Sequence, residues 1–176
     1  MAEVLEASIS NKASVLGMLR STWDSLDRFC GELSDEQMTS TGDGGWSIKD
    51  HLAHIAGWQL SLAALLERRD RQAAMALKGF STTDWDGQNQ VMLCRHQTLV
   101  PDEARALELG SRTMVMAALD RLDDADLQKP YSDFQPHDLR TSFPTSSDAL
   151  VHWITGSVCD HIAEHLGYMR STLAPY

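Results

Sequence analysis

The sequence predicts an all-α protein, an antiparallel four-helix bundle with long connections, folded as one domain over residues 1–176. Three observations carry this. Four segments repeat apolar residues every three or four positions, the period of one helix face. Each of the four opens on a helix-start signal. No stretch alternates apolar and polar residues as a half-buried strand does. A chain of 176 residues can bury a core without disulfide or metal staples.

Ser10 or Asn11 can cap the first helix, which runs to about Leu33 with Val15, Leu16, Leu19, Trp23, Leu26 and Cys30 on one face. Ser34-Asp35-Glu36 starts a short turn or helix, and Thr41-Gly42-Asp43-Gly44-Gly45 breaks the chain. In Ser47-Ile48-Lys49-Asp50 the serine and the acid three residues later satisfy each other's backbone amides, a capping box that opens the second helix. That helix is expected to reach about Leu77, where Lys78-Gly79-Phe80-Ser81-Thr82-Thr83 ends it. The mixed run Glu67-Arg68-Arg69-Asp70-Arg71 reads as a solvated helix surface.

A short helix is expected around residues 87–95. Pro101 then occupies a favourable first-turn position for the third long helix, ending near Leu122. A polar, proline-containing loop follows over residues 123–144. Thr145-Ser146-Ser147-Asp148 repeats the capping box and opens a fourth helix to about Leu173. The connections 78–100 and 123–144 are longer than an up-down bundle needs, and long ordered loops in a compact domain often cover a site.

Hydrophobic residues make up 43% of the chain and charged residues 23%, a globular composition. The formal net charge of -10 repels phosphate backbones, so no nucleic-acid partner is expected. Cys30, Cys94 and Cys159 are odd in number and match no zinc-ribbon or redox spacing. They are expected to be reduced thiols in a cytoplasmic protein, with Cys159 packed inside a helix. The N-terminal Met-Ala-Glu-Val-Leu-Glu lacks the pattern of a signal peptide, and no apolar run approaches the ~20 residues that cross a bilayer. No membrane partner is expected.

Seven histidines carry most of the chemistry on offer. At about 100° per residue, Leu150, Ile154, Ser157, Val158, His161, His165 and Tyr168 share one arc of the fourth helix, with His161 and His165 near its centre. His152 falls on the opposite side. Two imidazoles four residues apart on one face sit a turn above each other, and both can reach one cation at about 2.0–2.1 Å. Two core histidines hydrogen-bonded separately would fit the spacing too, but each would need its own buried partner. The second helix offers a third ligand in His51 or His54. Its apolar arc is Ile48, Leu52, Ile55, Trp58, Leu62 and Leu66. His51 lies inside that arc and His54 at its edge, so periodicity alone favours His51. His96 and His137 sit in loop regions that can approach a site.

The stretch Gly45-Trp46-Ser47-Ile48-Lys49-Asp50-His51-Leu52-Ala53-His54-Ile55-Ala56-Gly57-Trp58 resembles the second-helix motif of the DinB-like (DinB/YfiT-type) superfamily of metal-binding four-helix bundles. Asp160-His161-Ile162-Ala163-Glu164-His165-Leu166-Gly167-Tyr168-Met169-Arg170 resembles its fourth-helix motif, in the expected order and separation. Ile154-Thr155-Gly156-Ser157 looks like the ClbS/DfsB branch. The resemblance implies a divalent ion, zinc or nickel with iron as a further candidate, bound by one histidine of the second helix and two of the fourth. Counted from the Gly-Trp start, the motif places the second-helix ligand on His54, against the wheel's preference. The implied metal set is His54, His161 and His165, with Asp160 or Glu164 as a candidate outer partner.

The superfamily includes thiol-dependent transferases and isomerases. The resemblance therefore implies a metal-dependent thiol S-transferase or related detoxification enzyme, with a low-molecular-weight thiol and a small-molecule electrophile as partners. A hydrolase is a further candidate. The alternative is a non-catalytic small-molecule-binding, stress or self-resistance protein with a structural metal. The ClbS-like branch often lacks the metal histidines, whereas this chain keeps them. A homodimer is implied by the same resemblance. Metal binding is expected to weaken as pH falls through about 6.5, where protons compete for imidazole nitrogen.

Overall fold

Side-chain caps set where most helices begin. The computed structural model describes residues 11–42, 44–79, 85–135 and 145–174. Asn11 accepts the Ser14 amide at 2.9 Å and opens α1, Lys12–Gly31. Ser10, the other candidate cap, lies outside the described residues. Ser34 and Gln37 exchange bonds at the start of α2, Asp35–Thr39. Ser47 and Asp50 do the same for α3, Ile48–Leu66. Two short elements follow, α4 (Arg71–Ala74) and α5 (Trp85–His96). Pro101 occupies the first turn of α6, Pro101–Asp120, and Glu103 accepts the Val100 amide ahead of it. After α7 (Asp124–Leu127) and a 3₁₀ turn at Tyr131–Asp133, the last long helix runs as α8 (Leu150–Thr155), a π turn (Gly156–Asp160) and α9 (His161–Leu173). No strand occurs among the described residues, only isolated bridges at Thr41–Ser47 and Pro130–Ala149.

Three boundaries differ from the sequence reading. The second helix stops at Leu66 and not near Leu77. Arg68 turns left-handed (φ 56°), which lets the Arg69 amide reach the Ala64 carbonyl at 2.7 Å and the Arg68 amide reach Leu65 at 2.9 Å, a closed helix end. Glycine normally marks such an end, and here an arginine takes the position. Asp70 then caps α4 through the Ala73 amide. The charged run is thus a stop and a restart. The fourth helix starts at Leu150 and not at Thr145. The Asp148 carboxylate does accept the Thr145 amide, but the Asp148 carbonyl accepts from Tyr131 and the Leu150 amide donates to Lys129, which keeps Ala149 extended. The connection 123–144 carries α7 and the 3₁₀ turn in its described part, Asp123 to Gln135.

Helix directions explain the long connections. Along α3 and α6 the contacts climb together: Lys49 to the Gln97 carbonyl, Gln59 to Glu108, Glu67 to Arg121. These two neighbours therefore run parallel, and a parallel pair needs a crossover the length of the bundle. The first helix also runs parallel to the last, Phe29 near the end of one meeting Arg170 near the end of the other, while α1 against α6 and α3 against the last helix are antiparallel. Lys12 meets Asp124 while Asp27 meets Arg112, and His51 meets His165 while His54 meets His161. The core lies between α1, α3, α6 and the last helix, and includes Val15, Leu19, Leu26, Ile55, Leu62, Val115, Leu119, Ile154 and Ile162. A smaller cluster of Met75, Leu77 and Met92 seals the crossover against Trp58.

A charged network interrupts this core. Glu108, 2% exposed, accepts from Gln59 at 2.9 Å and from Arg112 at 2.8 Å, and Arg112 also grips Asp27 with both terminal nitrogens. Removing one partner of a buried ion pair leaves the other charge desolvated, at a cost of about 3–5 kcal/mol. Arg112→Ala is expected to lower urea-unfolding stability by about 3 kcal/mol, since Gln59 remains to soften the loss. A change below about 1 kcal/mol would mean that the pair is solvated and contributes as surface pairs do.

Candidate metal centre

α3 is the central helix of the bundle. Almost every residue from Ile48 to Leu66 is buried, with Lys49, Trp58 and Leu60 the partly exposed ones. An apolar arc has little meaning on such a helix, and both His51 (7% exposed) and His54 (5% exposed) are inside. α9 runs antiparallel against them and presents His161 and His165, one turn apart. The π turn at Gly156–Asp160 ends immediately before His161. One extra residue in that turn rotates everything after it relative to an ideal helix, and this registers His161 and His165 toward α3.

The rings meet through nitrogen. His54 Nε2 lies 3.0 Å from His161 Nε2, and His165 Nε2 lies 3.0 Å from the same atom. His54, His161 and His165 each offer a nitrogen within 4.8 Å of the other two. His51 is one layer further back, with its Nδ1 2.8 Å from His165 Nδ1. Burial holds all four rings neutral. Desolvation lowers the pKa of His51 and of His161 to about 4 and of His54 to about 3. His165 is pushed down furthest, by burial first and then by the neighbouring imidazoles. Neutral imidazole is the form that ligates metals.

The geometry fits a divalent cation. Nitrogens about 2.0–2.1 Å from one ion stand about 3.0–3.4 Å apart. A neutral imidazole has one N–H and one in-plane lone pair. His161 Nε2 faces two other nitrogens, so it cannot make a good linear bond to both. A cation accepting all three lone pairs removes that conflict, and an all-imidazole donor set suits zinc, nickel or iron. His54 Nδ1 and His161 Nδ1 are buried with no partner among the described residues.

The cluster forms part of the wall of a cleft of about 1010 Å³, within the range of small-molecule sites. Trp46, Trp58, Trp85, Trp153 and Tyr168 supply aromatic wall. Trp46 packs edge-on to His54 (centroids 5.0 Å apart) and against His51 (5.4 Å). Trp58 is fixed by its Nε1 bond to Asn89 on α5, so the crossover does roof the site. Asp160 and Glu164 line the cleft, but neither bonds an imidazole. Glu164 instead accepts the Tyr168 hydroxyl at 2.6 Å. The imidazole of this group that meets a further side chain is His165, whose Nδ1 faces His51. His96 and His152 do not line the cleft, and His152, opposite the inner arc, is half-buried. His137 lies outside the described residues. The tryptophans escaped functional notice in the sequence because each also suits a core, although Trp46 and Trp58 bracket the His51–His54 motif.

A family model described as the DinB superfamily matches residues 18–169. No curated protein matches the chain in sequence. Three solved structures share the fold. An uncharacterised protein from Escherichia coli UTI89 is 15% identical with a TM-score of 0.64, over 94% of each chain. The colibactin self-resistance protein ClbS, in complex with a double-stranded DNA, is 11% identical with a TM-score of 0.68, over 95% of this chain and 98% of that one. A protein from Streptococcus pneumoniae is 14% identical with a TM-score of 0.66, over 91% and 88%.

The ClbS complex corrects the expectation that nucleic acid is excluded as a partner. Net charge sums over the whole surface, whereas a duplex contacts one face, so an overall charge of -10 does not decide the matter. No helix of the described residues is long and apolar enough to cross a membrane.

Proposed function

The chain belongs to the DinB superfamily, and from that premise we propose that it is a divalent-metal-dependent enzyme that joins a low-molecular-weight thiol to a small electrophile. The observation that carries this reading is the convergence of the His54, His161 and His165 Nε2 atoms, 3.0 Å apart around His161, beside a large cleft. These three residues would hold the ion, zinc or nickel by donor type. When bound, a divalent ion held by neutral nitrogens acidifies a thiol or water that reaches it.

The protein's own groups do the rest. Trp46, Trp58 and Trp153 offer flat apolar surfaces to an electrophile and keep water from competing with the thiol. Tyr168, half-exposed at the cleft, donates its hydroxyl proton to Glu164 and so presents a fixed phenol ring and oxygen to what enters. Its hydroxyl is held protonated by that bond, which raises its pKa above the usual phenol value.

The test is metal analysis of the purified protein followed by turnover of a bimane-type electrophile with glutathione or cysteine. Thiol-dependent product that disappears on chelation is the expected result. Chelation is also expected to leave the far-UV helical signal intact, because the bundle buries an extensive apolar core of its own. The thermal midpoint should fall, since an ion at 100–1,000 times its Kd contributes about 3–4 kcal/mol. Loss of helix on chelation would make the metal structural and sink the enzymatic reading. The cleft volume favours a second reading, a protein that retains a larger reactive molecule without turning it over. Stoichiometric capture of the electrophile with no thiol dependence would select it.

A further inference from the structure

We propose that His51 is a positioning residue for the metal centre: its Nδ1 contact with His165 Nδ1 holds His165 in the tautomer that leaves Nε2 free to ligate. This rests on the metal reading above. The two Nδ1 atoms are 2.8 Å apart, and both rings are buried at 7% exposure. A contact that short between two neutral imidazoles needs one N–H and one lone pair. His165 Nε2 is the nitrogen that faces His161, at 3.0 Å. For it to offer a lone pair to an ion, the ring's single proton must sit on Nδ1. The His51 contact is then His165 donating and His51 accepting.

His51 is itself held. Tyr168 stacks on it (centroids 6.1 Å apart, 28° between planes) and Trp46 packs on it at 5.4 Å. It stands three residues before His54, so the same turn of α3 that places one ligand places the other ligand's partner. Metal-ligating histidines usually donate their second N–H to a carboxylate, carbonyl or water. Here an imidazole takes that role. Among the described residues, His54 Nδ1 and His161 Nδ1 have no such partner. His165 is therefore the ring of the three whose tautomer a side chain sets.

The experiment is Zn²⁺ titration of the full chain against a chromophoric chelator, wild type beside His51→Leu and His51→Gln. His51→Leu is expected to bind about 10–100-fold more weakly, still with one ion per chain at saturation. His51→Gln keeps an acceptor oxygen and is expected to recover most of the loss. In the Co²⁺-loaded wild type, the His165 Nδ1–H is expected as a hyperfine-shifted resonance that exchanges slowly with solvent, and in His51→Leu it should exchange fast. Unchanged affinity in His51→Leu overturns the inference and leaves the metal reading standing. A His51→Leu chain that folds yet takes up no ion at saturation makes His51 a ligand and also overturns it. Should the wild type bind no Zn²⁺, the metal reading itself fails, and the inference falls with it. If His51→Leu does not fold by circular dichroism, the wild-type Co²⁺ spectrum decides: no slowly exchanging His165 proton means no such bond.

Discussion

His54→Ala, His161→Ala and His165→Ala are each expected to drop bound metal from about one ion per chain to near zero at micromolar protein. A three-ligand site that gains on the order of 10 kcal/mol in total loses roughly a third of it with one imidazole, about three-hundredfold in affinity. His152→Ala is the control, since that residue does not line the cleft, and its metal content should match wild type. Inductively coupled plasma analysis of dialysed protein reads the effect directly. The geometry sets the ranking. His161 Nε2 touches both other nitrogens, so His161→Ala should be the most damaging. If all of these variants retain full occupancy, the cluster is a hydrogen-bonded feature of the fold. If His51→Ala loses the ion while His54→Ala keeps it, the periodicity of the second helix outranks the motif.

The metal-free protein is expected to be acid-sensitive over a window that the histidines define. All four rings have folded pKa values well below 6.5, through desolvation first. The unfolded chain therefore binds more protons than the folded one once pH falls below about 6.5. Stability from these groups is complete above that pH and is lost as pH drops toward about 4, the folded value of His51 and His161. Each group contributes a slope of up to about 1.4 kcal/mol per pH unit. Four together can consume much of a domain's 5–15 kcal/mol. Thermal midpoints of chelated protein between pH 7.5 and 4.5 should fall steeply below pH 6.5, and a flat profile would show that the rings are solvated. The same burial moves the metal-binding window. Rings that resist protonation in the fold compete with protons less, so loading should persist below the pH of about 6.5 expected from free imidazole.

The helices were largely legible because their starts are local chemistry. Asn11, the Ser34-Asp35-Glu36 start, the Ser47–Asp50 box and Pro101 act within a few residues of chain, and the structure uses each of them. Where the reading failed, the deciding partner was distant or atypical. The end of α3 rests on a left-handed arginine in a role usually filled by glycine. The late start of α8 rests on Tyr131 and Lys129, about twenty residues upstream. The π turn at Gly156–Asp160 has no signature in apolar spacing.

The site divides in the same way. By itself the sequence determined an all-helical bundle, the pairing of His161 with His165 one turn apart, and two candidates on the second helix, because helical period is a property of neighbouring residues. Only the tertiary structure decided how His51 and His54 differ. Both are buried, since α3 is enclosed on nearly every side, so an amphipathic wheel had no solvent face against which to rank them. What separates them is which nitrogen of α9 each one meets, His161 Nε2 for His54 and His165 Nδ1 for His51. That choice is set by the antiparallel register of two helices more than a hundred residues apart, and by the extra residue of the π turn that rotates one against the other.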